Sequence, residues 1–148
     1  MMNISMDEKI NILLVDDCAE NIFTLESILE KPTRNFLQAN SGNEALLKAS
    51  NEQIGLILLD YRMPDMDGLE VASRLRKHES TKNIPIIFVS AVSRSERKKF
   101  REFTEGTVDV LPKPIDMDDA RTKVELFEQI YFLKKQSNVV ETMKTSNF

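Results

Sequence analysis

The chain has 148 residues, of which 41% are hydrophobic and 30% are charged, as is typical of one soluble globular domain. Its formal net charge of −4 argues against direct nucleic-acid binding, which usually requires a basic patch or stripe. No apolar run approaches the roughly 18 residues that a membrane-spanning helix needs, and the first eight residues lack the pattern of a signal peptide. The single cysteine, Cys18, excludes an internal disulfide and is predicted to be a small buried side chain. We therefore expect a cytoplasmic protein without a membrane partner.

Strand and helix patterns alternate along the chain. Short apolar runs predict five strands, at residues 10–15, 35–39, 54–59, 86–89 and 107–111. Helical patterns follow these runs, over 19–30, from 41, from 67, over 93–105 and from 116. This alternation predicts an α/β fold with a mostly parallel sheet, in which right-handed crossovers place helices on both faces.

The third predicted strand runs directly into a carboxylate. Residues 56–59 are all apolar, which is typical of a strand that is buried on both faces, and Asp60 follows at its end. In an open α/β sheet, ligands bind outside the carboxyl ends of the strands. Because burying an unpaired charge costs several kcal/mol or more, Asp60 is predicted to be a functional residue, a nucleophile that accepts a phosphoryl group.

Polar residues also follow the other central strands. Asp16 and Asp17 follow the first strand, Ser90 follows the fourth, and Lys113 comes shortly after the fifth. A single Asp after a strand is most often a helix cap. The carboxyl ends of parallel strands meet at one edge of a sheet, however, so these side chains and Asp60 are predicted to converge in one cleft.

The predicted cleft favours a hard metal ion. Three carboxylates repel one another unless a cation neutralises them, and Mg²⁺ prefers oxygen ligands. Zinc is disfavoured because no His/Cys ligand set exists. Lys113 is predicted to pair with the phosphoryl group as a point charge, and Ser90 to donate a hydrogen bond to a phosphoryl oxygen. N-capping of the first helix by Asp16 or Asp17 stays open as an alternative or additional role.

Four short motifs lie at these strand ends. They are ILLVDD at 12–17, LDYRMPDMDG at 59–68, PIIFVSA at 85–91 and VDVLPKP at 108–114. In combination they resemble the receiver domain of response regulators in two-component signalling systems of the bacterial type. The likeness covers about residues 9–133. It leaves residues 1–8 as an N-terminal tail and residues 134–148 as a C-terminal helix extension or tail.

This resemblance implies a fold and a chemistry. The fold is a flavodoxin-like receiver fold, a doubly wound five-stranded parallel sheet with strand order 2-1-3-4-5. Asp60 would receive its phosphoryl group from a histidine kinase or a phosphotransfer protein, with Ser90 in the hydroxyl role and Lys113 in the ammonium role. The Lys113–Pro114 peptide bond would be cis. Such a protein is not an enzyme beyond self-catalysed phosphotransfer and slow autodephosphorylation.

The resemblance also implies how the metal is held. The ion would be Mg²⁺, with Mn²⁺ left open. Its ligands would be Asp17, Asp60 and the backbone carbonyl of Arg62, with Asp16 assisting, partly through water.

One position departs from the family pattern. Family members usually carry Tyr or Phe three residues before the lysine, where this chain has Val110. That aromatic side chain moves inward on phosphorylation in the family's usual switch, which Val110 cannot do. We therefore expect the signal to pass through backbone shifts of the Ser90–Ala91 loop and the helix predicted over 93–105, or through the last helix.

The last predicted helix continues past the expected end of the domain. Val124, Phe127, Tyr131 and Leu133 form an apolar seam, which either packs on the core or makes a contact beyond it. The partners left open are a second copy, through this helix or the 93–111 face, and a downstream output domain.

Three other functions remain as alternatives. A receiver-shaped interaction module that is never phosphorylated has the same residues. A phosphatase of the haloacid-dehalogenase type needs an Asp two residues after its nucleophile, where this chain has Arg62. A nucleotide or flavin binder needs glycines or hydroxyls in the first strand–helix turn, where this chain is acidic.

Overall fold

The computed structural model describes residues 8–91 and 108–146, with side chains described for the same residues except 108 and 138–146. The helix predicted over 93–105, most of the predicted N-terminal tail and most of the 93–111 face lie outside the described residues.

Five parallel strands form one sheet in the order β2-β1-β3-β4-β5. The strands are β1 Ile10–Val15, β2 Arg34–Ala39, β3 Leu56–Asp60, β4 Ile86–Ser90 and β5 Val108–Pro112. Both the α/β class, predicted from the alternating patterns, and the strand order, implied by the resemblance, are confirmed. Strand β3 lies at the centre of the sheet, so Asp60 ends a strand that has neighbours on both sides.

Helices cover both faces of the sheet. Within the described residues they are α1 Ala19–Leu29, α2 Gly42–Asn51, α3 Gly68–Arg76 and α4 Met117–Ser146. None of these described helices combines the length and the apolar character of a membrane span.

The sheet separates two apolar clusters. On β1, Leu13 and Val15 belong to the cluster that α2 and α3 cover, whereas Ile12 and Leu14 belong to the cluster that α1 and α4 cover. Successive side chains of a strand point to opposite faces, so a strand that is apolar throughout supplies both clusters. This double burial holds the strand ends in a fixed relative position.

Side-chain caps begin three of the described helices, at the positions where the sequence predicts that these helices start. The Ser41 hydroxyl accepts a hydrogen bond from a backbone N–H of the first turn of α2, at 3.1 Å. Asp67 and Asp116 do the same for α3 and α4, each at 2.9 Å. Each cap satisfies a backbone donor that the helix leaves free and contributes about 1 kcal/mol.

Two smaller predictions were wrong. Cys18 is exposed, because it occupies the N-cap position of α1 in the loop after β1 and not a position inside the helix. The apolar seam of α4 includes the buried Phe132, whereas Leu133 is 52% exposed. One residue along a helix is a turn of about 100°, so neighbours in sequence face different surroundings.

A buried ion pair joins α4 to the edge strand. Arg34, the first residue of β2, contacts Glu128 through two N–H···O bonds of 3.1 Å each. Its third nitrogen donates to the backbone carbonyl of Leu29 at 2.6 Å, and the Thr33 hydroxyl donates to Glu128 at 2.9 Å. This cluster fixes the middle of α4 against the end of α1.

Candidate functional site

The predicted site residues lie at the carboxyl edge of the sheet. Asp16 follows the last residue of β1, Asp60 ends β3, and Ser90 ends β4. In the strand register, Asp60 is level with Val89, so Ser90 lies one residue further along the neighbouring strand. The parallel arrangement therefore brings together residues that are at least 30 positions apart in sequence.

Three carboxylates form a cluster at this edge. Asp16, Asp17 and Asp60 each offer one oxygen atom, and these atoms all lie within 4.8 Å of one another. Asp16 and Asp60 are 3% and 6% exposed, whereas Asp17 is exposed to solvent. A cation placed among these oxygens has two buried ligand groups and one open side.

Lys113 supplies a positive charge beside the cluster. Its ammonium lies 3.5 Å from a carboxylate oxygen of Asp60 and 3.8 Å from one of Asp16. Its backbone N–H donates to the Ser90 carbonyl at 3.1 Å, which connects the segment after β5 to β4. The Lys113–Pro114 peptide bond is cis, as the resemblance implies.

The electrostatics of Asp60 favour a bound cation. Burial raises the pKa of the Asp60 carboxyl above its ordinary value, and the negative charge of Asp16 raises it further. The ammonium of Lys113 and the backbone N–H of Arg62 oppose this rise in pKa without cancelling it. The cluster has three carboxylates and only the Lys113 ammonium beside it, so its described partners do not neutralise all of its negative charge. Its donor atoms are all carboxylate oxygens, which suit a hard divalent cation such as Mg²⁺.

The loop after β3 folds tightly against Asp60. The N–H of Gly68 donates to the Tyr61 carbonyl at 2.8 Å. A Cβ atom at position 68 would lie 2.7 Å from the Asp60 carbonyl oxygen and 3.0 Å from the Tyr61 Cα, both of which are backbone atoms. Only glycine permits this approach, which holds the backbone of residues 60 and 61 in place.

Two predicted roles stay predictions. Ser90 is buried at the same edge, and its described contact is through its carbonyl; the phosphoryl-binding role of its hydroxyl is untested. Arg62 is exposed, and its described contact is a backbone N–H directed at Asp60. Its carbonyl as a metal ligand is likewise untested.

Val110, the position that departs from the family pattern, is buried. It belongs to the apolar cluster between the sheet and helices α2 and α3. Its carbonyl accepts a hydrogen bond of 2.6 Å from the ammonium of Lys123 on α4. How phosphorylation is transmitted past this position stays a prediction.

The sequence analysis missed one side chain at the site. Asn21, in the first turn of α1, donates from its amide nitrogen to Asp16 at 3.1 Å. The backbone N–H of Cys18 donates to the other oxygen of Asp16 at 2.9 Å. The only signal available in the sequence was that Asn21 lies within one helical turn of the acidic pair.

A cleft opens beside these residues. Its volume is about 490 Å³, and it lies between α1 and the segment that joins β5 to α4. Asp16, Asn21 and Lys113 line its polar part, and Leu25 and Ile115 are among the apolar side chains of the remainder. The cleft gives a second molecule access to the cluster from solvent.

Comparison with known proteins finds relatives that match most of this chain. The chain is 34% identical over 137 residues to the cyclic di-GMP phosphodiesterase response regulator RpfG of Xanthomonas campestris pv. campestris, covering 91% of this chain and 35% of that protein. It is 31% identical over 105 residues to protein PilH of Pseudomonas aeruginosa, covering 71% of this chain and 86% of PilH. The chain thus spans about a third of the length of RpfG and most of the length of PilH.

Structural comparison and a family model agree with these relatives. The crystal structure of a response regulator receiver protein from Pseudomonas putida superposes with a TM-score of 0.70 at 28% identity, covering 79% of this chain and 96% of that one. The family model for the response regulator receiver domain matches residues 12–125. The chain therefore belongs to the response regulator receiver domain family of two-component signalling.

Proposed function

We propose that this chain is a phosphorylation-dependent switch that accepts a phosphoryl group on Asp60 from a histidine kinase or a phosphotransfer protein. The observation that supports it most is the position of Lys113, whose ammonium lies 3.5 Å from Asp60 at the edge of an acidic cluster. Structural ion pairs are usually satisfied by close contacts, whereas this ammonium is partly exposed and shared between two carboxylates.

The proposed transfer is a nucleophilic displacement at phosphorus. A carboxylate oxygen of Asp60 attacks the phosphoryl group of a phosphohistidine, the P–N bond breaks, and the imidazole nitrogen of the donor keeps the electron pair. The product is an acyl phosphate on Asp60. Lys113 pairs with the transferred group as a point charge, and the Ser90 hydroxyl donates a hydrogen bond to it.

The metal in this proposal is Mg²⁺, with Mn²⁺ as an alternative. Asp17 and Asp60 would hold it, with the backbone carbonyl of Arg62, and Asp16 would assist, partly through water. When bound, the ion neutralises charge on the phosphoryl oxygens during transfer. The cluster of three carboxylates within 4.8 Å supports this assignment.

The wider setting is also a proposal. The chain acts in the cytoplasm, either alone or as the receiver part of a longer protein with an output domain. Its slow loss of phosphate is self-catalysed, and it turns over no separate substrate. A second copy, bound through α4 or through the 93–111 face, is the contact that would carry the signal onward if no output domain does.

The direct test is phosphorylation by a small acyl phosphate, such as acetyl phosphate, with Mg²⁺, followed by intact-mass measurement. Wild type is expected to gain one phosphoryl group, and Asp60→Asn none. Asp65→Asn is the matched control, since Asp65 is an exposed carboxylate in the loop after β3 that lies outside the acidic cluster. An adduct that persists in Asp60→Asn refutes the assignment, and continuous release of phosphate with fast turnover would favour a phosphatase.

A further inference from the structure

We propose that Asn21 is a positioning residue for the phosphoryl-transfer site, acting through Asp16 to fix where the Lys113 ammonium lies. This inference rests on the proposed function, because the site that Asn21 would position is the phosphoryl-accepting one. Asn21 belongs to α1, and its side-chain amide donates a hydrogen bond to Asp16, so it connects this helix directly to the acidic cluster.

Both oxygens of Asp16 are held, one by α1 and one by the N-cap residue that precedes it. Oδ1 accepts the backbone N–H of Cys18 at 2.9 Å, and Oδ2 accepts the amide of Asn21 at 3.1 Å. A carboxylate held at both oxygens cannot rotate about its last side-chain bond without losing a hydrogen bond. Each oxygen keeps a second lone pair for a cation or for water bound to one.

Asn21 and Lys113 approach the same oxygen of Asp16. Asp16 Oδ2 lies 3.1 Å from the Asn21 amide and 3.8 Å from the Lys113 ammonium, which is nearer to Asp60 at 3.5 Å. The amide and the ammonium therefore compete for the same oxygen of Asp16, and the amide is the closer of the two. Without the amide, Asp16 Oδ2 loses a hydrogen bond in a buried position, and the Lys113 ammonium at 3.8 Å is a donor that can replace it.

The two carboxylates then have different roles. Asp16 is held by Asn21, and Asp60 is the carboxylate beside which the Lys113 ammonium stays. With Asn21 in place, the ammonium stays close to Asp60, where the phosphoryl group would form. Side chains that orient ligand carboxylates typically change metal affinity or activity by about 10- to 100-fold when removed. Asn21 is therefore expected to affect both the binding of Mg²⁺ and the rate of phosphoryl transfer, although it touches neither the metal nor the phosphorus.

The test compares Asn21→Leu with Asn21→Gln. Leucine has a similar size and no donor, whereas glutamine keeps the amide, so a rescue by glutamine separates hydrogen bonding from packing. Asn43→Leu is the matched control, since it makes the same substitution at an exposed position in the first turn of α2. The first measurement is the Mg²⁺ affinity by calorimetry without a phosphodonor, and the second is the rate of acetyl phosphate labelling at saturating Mg²⁺.

We expect Asn21→Leu to weaken Mg²⁺ binding by about tenfold and to slow labelling at saturating Mg²⁺ by a similar factor. Asn21→Gln should recover part of both losses, and Asn43→Leu should match wild type. In an Asp16→Asn background, Asn21→Leu should have little further effect, because the carboxylate through which it acts is gone. Thermal unfolding without Mg²⁺ checks that each variant is folded.

Two results would overturn the inference. One is an Asn21→Leu variant with wild-type Mg²⁺ affinity and labelling rate. The other is a loss as large in the Asp16→Asn background as in wild type, since Asn21 would then act by another route. If wild type itself is never labelled, the proposed function fails, while the calorimetric comparison still decides whether Asn21 organises the acidic cluster.

Discussion

Two charged clusters at opposite ends of the sheet differ in how completely they are paired. At the amino end, Arg34 and Glu128 make two direct contacts of 3.1 Å, and their side chains are only 2% and 10% exposed. At the carboxyl end, Lys113 lies 3.5 Å and 3.8 Å from two carboxylates and is 31% exposed. The first cluster is closed by its own partners, and the second leaves negative charge that its protein partners do not neutralise.

This difference distinguishes a fully paired cluster from a partly paired one. A buried ion pair persists when hydrogen bonds satisfy its remaining atoms, as Leu29 and Thr33 do for Arg34 and Glu128. In such a pair the two charges neutralise each other directly. The Asp16, Asp17 and Asp60 cluster differs, because its repulsion favours any cation that can enter. The pKa of Asp60 is raised by burial first, and by the repulsion from Asp16 second.

The largest expected effect is on the Arg34–Glu128 pair. Arg34→Met should lower the free energy of unfolding by about 3–5 kcal/mol, because it leaves the Glu128 carboxylate buried without its cation. The double variant Arg34→Met, Glu128→Leu should recover most of that loss. Urea unfolding followed by circular dichroism measures both. If Arg34→Met lowers the free energy of unfolding by less than about 1 kcal/mol, this pair contributes no more than an exposed ion pair does. The contrast between the two clusters would then be lost.

A smaller effect of opposite sign is expected at the acidic cluster of Asp16, Asp17 and Asp60. The folded-state pKa of Asp60 is raised, so the stability that Asp60 contributes is complete below its unfolded pKa and is lost as pH rises through the folded pKa. Asp60→Asn should therefore be more stable than wild type at pH 7 without Mg²⁺. The difference should shrink as the pH falls through the folded pKa and disappear below the ordinary aspartate value.

Urea unfolding in EDTA, repeated from pH 7 to pH 4, follows this difference. Asp65→Asn is the control, because Asp65 is exposed, lies outside the acidic cluster and should change stability little. An Asp60→Asn protein that is no more stable than wild type at pH 7 would mean that the cluster is already neutralised by Lys113. The acidic cluster and the Arg34–Glu128 pair would then differ in their position on the sheet and not in how completely their charges are paired.

The smallest effect is expected at an exposed pair that serves as a reference. Glu70 and Arg74 are separated by one helical turn on α3. A guanidinium nitrogen of Arg74 lies 3.0 Å from a carboxylate oxygen of Glu70, and both side chains are 49% exposed. Glu70→Gln should change the free energy of unfolding by no more than about 0.5 kcal/mol, since solvent screens such pairs. Any effect should fall further in high salt, which unfolding with and without added salt will show. A larger loss would indicate that the exposure of the side chains does not determine how much each of these three charged groups contributes to stability.

Much of the fold and the site was predictable because it follows from local patterns. Residues 56–59 are all apolar and Asp60 follows them, so a doubly buried strand that ends in a carboxylate was expected, and β3 confirms it. The same pattern located Asp16, Asp17 and Lys113 at strand ends. Parallel strands share one carboxyl edge, so a prediction of strand ends is also a prediction of proximity.

Other contacts could not be predicted because no local period encodes them. Arg34 and Glu128 are 94 positions apart, and nothing in the repeat of either strand or helix pairs them. Cys18 lies at a loop position where a residue can face solvent or core, and its exposure depends on how α1 docks. On α4, the docking angle made Phe132 the buried residue, not Leu133.

The sequence by itself determined how strands and helices alternate along the chain and that the sheet is buried on both faces. It also determined which acidic, hydroxyl and ammonium groups lie at the ends of the strands. Only the tertiary structure decided which of those groups touch, that Asn21 rather than Lys113 is the closest side-chain donor to Asp16 Oδ2, and that Arg34 and Glu128 close the opposite end. The reason is that apolar periodicity depends on the identity of neighbouring residues, whereas hydrogen bonds between distant side chains depend on helix docking to within a fraction of an ångström.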